Sequence, residues 1–200
     1  MGTPDLTAAV QHIAGFTERW TARILPGQPM IAPARQFVFP QAVPGEEDAL
    51  ARGALWLDIK PEGEANFLAQ CALGFAGSGL ATGVWATPRP QTLLAVAGGY
   101  GYLIDTTAPE RTEFLEQRPV VAVHAAPSAN ALVLVGFHTA LVVTENDTWM
   151  SPRLSWEGIA INGVEGHHVH GTGWHMPSDR ELPFTLDLRE RTATGGGFIP

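Results

Sequence analysis

The chain has 200 residues, with 12 Lys+Arg against 20 Asp+Glu, a formal net charge of −8, 45% hydrophobic residues and one Cys. That length suits one domain with a real core, and a single Cys excludes a disulfide framework or any multi-cysteine zinc site. The acidic excess lies in the second half, 12 against 6 basic groups, and no window clusters the Lys and Arg that would neutralise phosphates. Nucleic acid and anionic membrane surfaces are therefore not expected partners.

The start, MGTPDLTAAVQHIAG, lacks the basic and apolar regions of a signal peptide, and no apolar run approaches the roughly 20 residues of a membrane span. The expectation is a soluble, cytoplasmic protein. Residues 1–25 read as an N-terminal α-helix. Thr3 can cap it, Pro4 suits the first helical position, and Leu6, Val10, Ile13, Trp20 and Ile24 recur at helical steps until Pro26-Gly27. Residues 26–53 form a proline-rich strap, in which Gln36–Phe39 has the pattern of an edge strand and Glu46–Arg52 that of a short helix closed by Gly53.

From Ala54 the character changes. Apolar runs alternate with Gly, Pro, Asn and Asp, and strands are predicted near 54–60, 66–75, 80–87, 92–97, 99–106, 119–125, 131–137, 139–145, 157–162, 166–175 and 182–188. LLAVAGGYGYLIDT at 93 and ALVLVGFHTALVVT at 131 align with a shift of 38, and a similar shift again reaches HVHGTGWHMP. The predicted fold is mainly β, with antiparallel sheets over residues 54–190 arranged as a sandwich or a small propeller-like array of hairpins. Residues 191–200 read as a loose tail.

Four of the seven histidines gather in Gly166-His-His-Val-His-Gly-Thr-Gly-Trp-His175. In a strand His168 and His170 share a face about 7 Å apart and can ligate zinc or another divalent transition metal. His175 joins them if a bulge at Gly171 or Gly173 changes the phase, and Glu165, Asp179 or a residue of a neighbouring strand can supply a further ligand. The ordinary alternative is a decorated, solvent-facing strand. The glycines of Gly74–Gly83 lack the following helix a phosphate loop requires. Ser78 lies between Gly77 and Gly79, but Ala76 and Leu80 stand where a nucleophile elbow needs glycine, and Cys71 sits in an apolar run as a core thiol. His124 alternates with Val121 and Val123. Six tryptophans admit a sugar platform but serve cores more often.

Trp149-Met-Ser-Pro-Arg-Leu154-Ser-Trp156-Glu-Gly158-Ile159, Gly171-Thr-Gly-Trp174, Pro183-Phe-Thr-Leu-Asp187-Leu188 and Gly195-Gly196 together resemble a set of uncharacterised bacterial proteins. That set shares a W-x4-L-x-W-x-G-I…P-F-x-x-D-L pattern, which implies a β-rich body and assigns no catalytic residue. These readings converge on a non-enzymatic binding or protein-interaction module with a protein partner and no resident cofactor. The second reading is a metal or small-molecule site at His168 and His170. The oligomeric state is left open.

Overall fold

The computed structural model describes residues 10–40, 50–75 and 79–198. In chain order the strands are β1 (Val10–Gln11), β2 (Trp20–Leu25), β3 (Gln36–Phe39), β4 (Ala54–Pro61), β5 (Phe67–Ala72), β6 (Gly83–Ala86), β7 (Thr92–Ala97), β8 (Tyr100–Asp105) and β9 (Glu113–Phe114). They continue as β10 (Ala122–Ala126), β11 (Ala131–Val135), β12 (Ala140–Thr144), β13 (Thr148–Met150), β14 (Ile159–Glu165), β15 (His168–His175), β16 (Arg180–Asp187) and β17 (Thr192–Gly195).

These strands make four sheets with the orders β2-β4-β5-β3, β1-β6-β7-β8-β9, β10-β11-β12-β13 and β14-β15-β16-β17. Pairing is antiparallel except where β1 meets β6 and β3 meets β5. The central hairpins begin at Ala54, Thr92, Ala131 and His168, steps of 38, 39 and 37 residues, so the shift read in the sequence is the repeat of one sheet. One core lies between each successive pair of sheets. Leu57, Phe67, Tyr102 and Ile104 fill the first; Leu94, Leu103, Leu132 and Leu141 the second; Val133, Val142, Val169 and Phe184 the third.

The alternation along each strand records its place in this array. β11 is apolar throughout, and β7 is so after Thr92, because both faces are covered: Leu93 and Ala95 enter the first core while Leu94 and Val96 enter the second. In β4 and β15 only every second residue is buried, since the first and fourth sheets each have an outer face.

Over the described residues 10–25 the expected N-terminal helix is not formed. Among the described residues the only helical turns are the 3₁₀ segments Pro109–Arg111, Pro127–Ala129 and Met176–Ser178, and none is long and apolar enough to cross a membrane. Residues 10–11 and 20–25 are strands, and Gly15 turns between them at a φ of 99° that a helix cannot include. Trp20, Ala22 and Ile24 pack on the first core while Thr21 and Arg23 face outward, a two-residue period. Trp20 and Ile24 fit steps of two as well as a step of four, and pairing with β4 decides for the strand. The cap at Thr3, residues 46–49 of the short helix expected at Glu46–Arg52 and Ser78 lie outside the described residues, while residues 50–52 form a turn.

The tail expected from residue 191 is instead tied down as far as residue 198. Thr192–Gly195 pairs with β16, Gly197 N–H donates to the Leu154 carbonyl at 2.8 Å, and Phe198 packs edge-on against Trp156 with ring centres 4.9 Å apart.

Two polar latches join neighbouring sheets at the β12–β13 turn. Arg89, between β6 and β7, donates to the Thr144 carbonyl and to Thr148 Oγ1, each at 3.0 Å. Arg191, between β16 and β17, pairs with Asp147. The Thr144 hydroxyl and then Arg191 hold the Asp147 carboxyl below the usual carboxylate range. A group with a depressed folded pKa contributes stability that is present above its unfolded pKa and lost as pH falls through the folded one. The difference in thermal midpoint between wild type and Asp147→Asn should therefore be constant near neutrality and close below about pH 4, as followed by circular dichroism.

Candidate functional site

Two surfaces concentrate side chains able to bind. The first is the outer face of the fourth sheet, where β15 presents His168, His170, Thr172 and Trp174, while Val169, Gly171 and Gly173 turn inward. The β15–β16 register is continuous, setting His168 against Asp187, His170 against Thr185 and Thr172 against Pro183. Across β14 a bulge at Asn162 restores the phase, so Glu165 opposes His168 and Gly163 opposes His170.

The rings of His168 and His170 stack with centres 6.3 Å apart and planes 24° from parallel. His168 Nε2 lies 3.4 Å from Asp187 Oδ2, and His170 Nδ1 lies 3.1 Å from the Thr185 hydroxyl. Asp187 Oδ1 accepts the backbone N–H groups of Arg189 and Glu190 at 2.9 and 3.0 Å. Those bonds, from Glu190 first and then Arg189, hold the Asp187 carboxyl below its ordinary range. Asn162, His170, Thr185 and Thr194 border a shallow groove on this face.

His175 does not join this pair. Because the bulge falls in β14 and not at Gly171 or Gly173, His175 keeps the opposite parity and bonds to Ser178 Oγ at 2.7 Å. Asp179 is also diverted, accepting from Trp174 Nε1 at 3.0 Å, and His167 meets Arg189 at 3.0 Å. Among the described residues no three His, Cys, Asp or Glu side chains converge as a metal cluster. Asp187 is a residue of the neighbouring strand whose identity the sequence leaves open, because its partnership depends on a cross-strand register that alternation alone does not fix.

The second surface is a groove of about 410 Å³ between the edges of the first two sheets. β3 closes one sheet and β9 the next, so each pairs on one side only among the described residues. Phe37 and Phe39 stack 6.2 Å apart on one wall; Phe114 stacks on Tyr102 at 5.3 Å on the other. Tyr102 is fully buried, with its hydroxyl donating to the Ala72 carbonyl at 2.7 Å. Gln36, Glu110 and Thr112 add polar groups to the lining.

The nucleophile candidates are placed otherwise. Cys71 is fully buried in the first core, and burial pushes its thiol pKa up, so it stays protonated. Half-burial of His124 lowers its pKa and keeps the imidazole neutral at pH 7. Compared with known proteins, the chain matches no family model and no curated protein.

Proposed function

We propose that this chain is a protein-interaction module, a propeller-like array of four hairpin-built sheets that takes an extended segment of a partner into the groove between β3 and β9. One observation carries the reading: two sheet edges flank a single aromatic-walled groove. An edge that pairs on one side only among the described residues offers main-chain donors and acceptors to an added strand, and the pockets beside it accept alternate side chains. Phe37, Phe39 and Phe114 give those side chains apolar surface. Glu110 is exposed beside the groove, and the protein carries a net charge of −8, which favours a partner segment with apolar residues and at least one basic residue. The lone buried thiol is compatible with action in the cytoplasm.

Panning a random peptide library on the folded protein tests this. The expected outcome is a consensus of alternating apolar residues with a Lys or Arg, binding measurably by fluorescence anisotropy. Glu110→Lys should weaken the selected peptide about tenfold, and Phe114→Ala should weaken it as much or more. A consensus insensitive to both substitutions, or no consensus, contradicts the proposal.

A further inference from the structure

We infer that a second copy of this chain is a partner of the β3 edge, the two β3 strands pairing antiparallel about a two-fold axis at Phe37. This inference rests on the reading that the edge receives an added strand, and it names one strand that fits. The Arg35 carbonyl accepts the Leu68 N–H at 3.0 Å, and the parallel register sets Gln36 beside Leu68 and Phe37 beside Ala69. That phase turns the N–H and C=O of Phe37 toward β5 and leaves those of Gln36 and Val38 on the open edge.

A two-fold axis at Phe37 sets Gln36 of each copy opposite Val38 of the other. Both are outward residues, so each opposed pair exchanges two main-chain hydrogen bonds, and the outward groups of both strands are satisfied. Phe37 then meets Phe37 of the second copy at the close, non-hydrogen-bonded position, where aromatic cross-strand pairs stabilise. Arg35 comes opposite Phe39 of the second copy, a contact of the kind it already makes at 5.7 Å with the Phe37 and Phe67 rings.

The strand also has the composition that the groove favours. Phe37 and Phe39 alternate, Arg35 is the only charge between Pro33 and Pro40, and exposed Glu110 in the groove offers that cation an opposite charge. Edges are commonly guarded by Lys, Pro or a bulge, and Gln36–Phe39 contains none of these. The strap leading into β3 holds Met30 and Ile31 at relative exposures of 103% and 92%, apolar surface that a second copy can cover.

Sedimentation velocity of the full chain from micromolar to submillimolar concentration tests the inference. The mass should rise from that of one chain, 21.4 kDa, toward twice that value. Val38→Pro removes an outward donor without touching the β5 ladder, and it should keep the chain monomeric throughout, with far-UV circular dichroism confirming the fold. A labelled peptide of residues 33–40 tests the same pairing without any variant having to fold. It should bind the chain by fluorescence anisotropy, and N-methylation at its Val38 should weaken it about tenfold. N-methylation at its Phe37, whose N–H faces away, should have little effect. A chain that stays monomeric while a library-selected peptide binds the groove overturns this inference alone. A dimer that survives Val38→Pro, or a peptide indifferent to where the methyl group sits, overturns it as well, and no binding by either kind of peptide overturns the groove reading with it.

Discussion

Replacing Gly171 by alanine is expected to destabilise the protein by about 3 kcal/mol, the upper part of the range for overpacking a filled core. Gly171 lies in β15 with its α-carbon turned into the third core. A Cβ there would press on the Ala160 carbonyl oxygen of β14 and stand 2.6 Å from Phe184 Cζ. The ring is buried, and the oxygen belongs to the neighbouring paired strand, so neither can retreat without disturbing the third core or opening the β14–β15 pairing. Urea unfolding should show a lower midpoint. Gly163→Ala is the control, because a Cβ at that position meets nothing within 4 Å, and its effect should stay within about 0.5 kcal/mol. Equal effects at the two positions would contradict the close approach of β14 to β15.

Ser155→Ala is expected to cost about 1–2 kcal/mol, because the part-buried N–H groups of Trp174 and Glu157 lose their shared acceptor. Ser155 is fully buried between the third and fourth sheets. Its Oγ accepts the Trp174 N–H at 2.8 Å and the Glu157 N–H at 3.1 Å, and donates to the Trp174 carbonyl at 3.3 Å. The hydroxyl thus stands in for a strand partner where the chain crosses from one sheet to the next. Its neighbour Leu154 enters the core and accepts Gly197 N–H, so loosening Ser155 also frees the last strand. Ser178→Ala, at an exposed position, should change stability by less than about 0.5 kcal/mol in the same assay.

Much of the architecture was legible from alternation and turn chemistry. Gly98-Gly99 between Thr92–Ala97 and Tyr100–Asp105 marks the second central hairpin at its observed place. The near-38-residue shift marks the repeat because each sheet needs a hairpin and two flanking strands before the chain can turn to the next core. The N-terminal segment misled because Val10, Ile13, Trp20 and Ile24 satisfy helical steps, while the partner that selects the strand, β4, begins 29 residues after Leu25. Thr192–Gly195 misled in the opposite sense: a short polar run with glycine has no apolar period, and β16 supplies the order that composition does not.

The candidate sites divide along the same line. His168 and His170 share a face by the two-residue period, which local sequence carries. The position of Asp187 depends on the register of a hairpin, and the groove depends on β3 and β9, which lie far apart in the chain. Neither relation is written in any local window of sequence.

The central claim is that the edge of β3 receives an added strand. Amide hydrogen exchange followed by NMR, with and without a library-selected peptide at saturation, tests it most directly. The account predicts that amides within Gln36–Phe39 and Glu113–Phe114 gain protection on binding while those of the fourth sheet do not change. Protection confined to other strands, with β3 exchanging as fast as in the free protein, would contradict it.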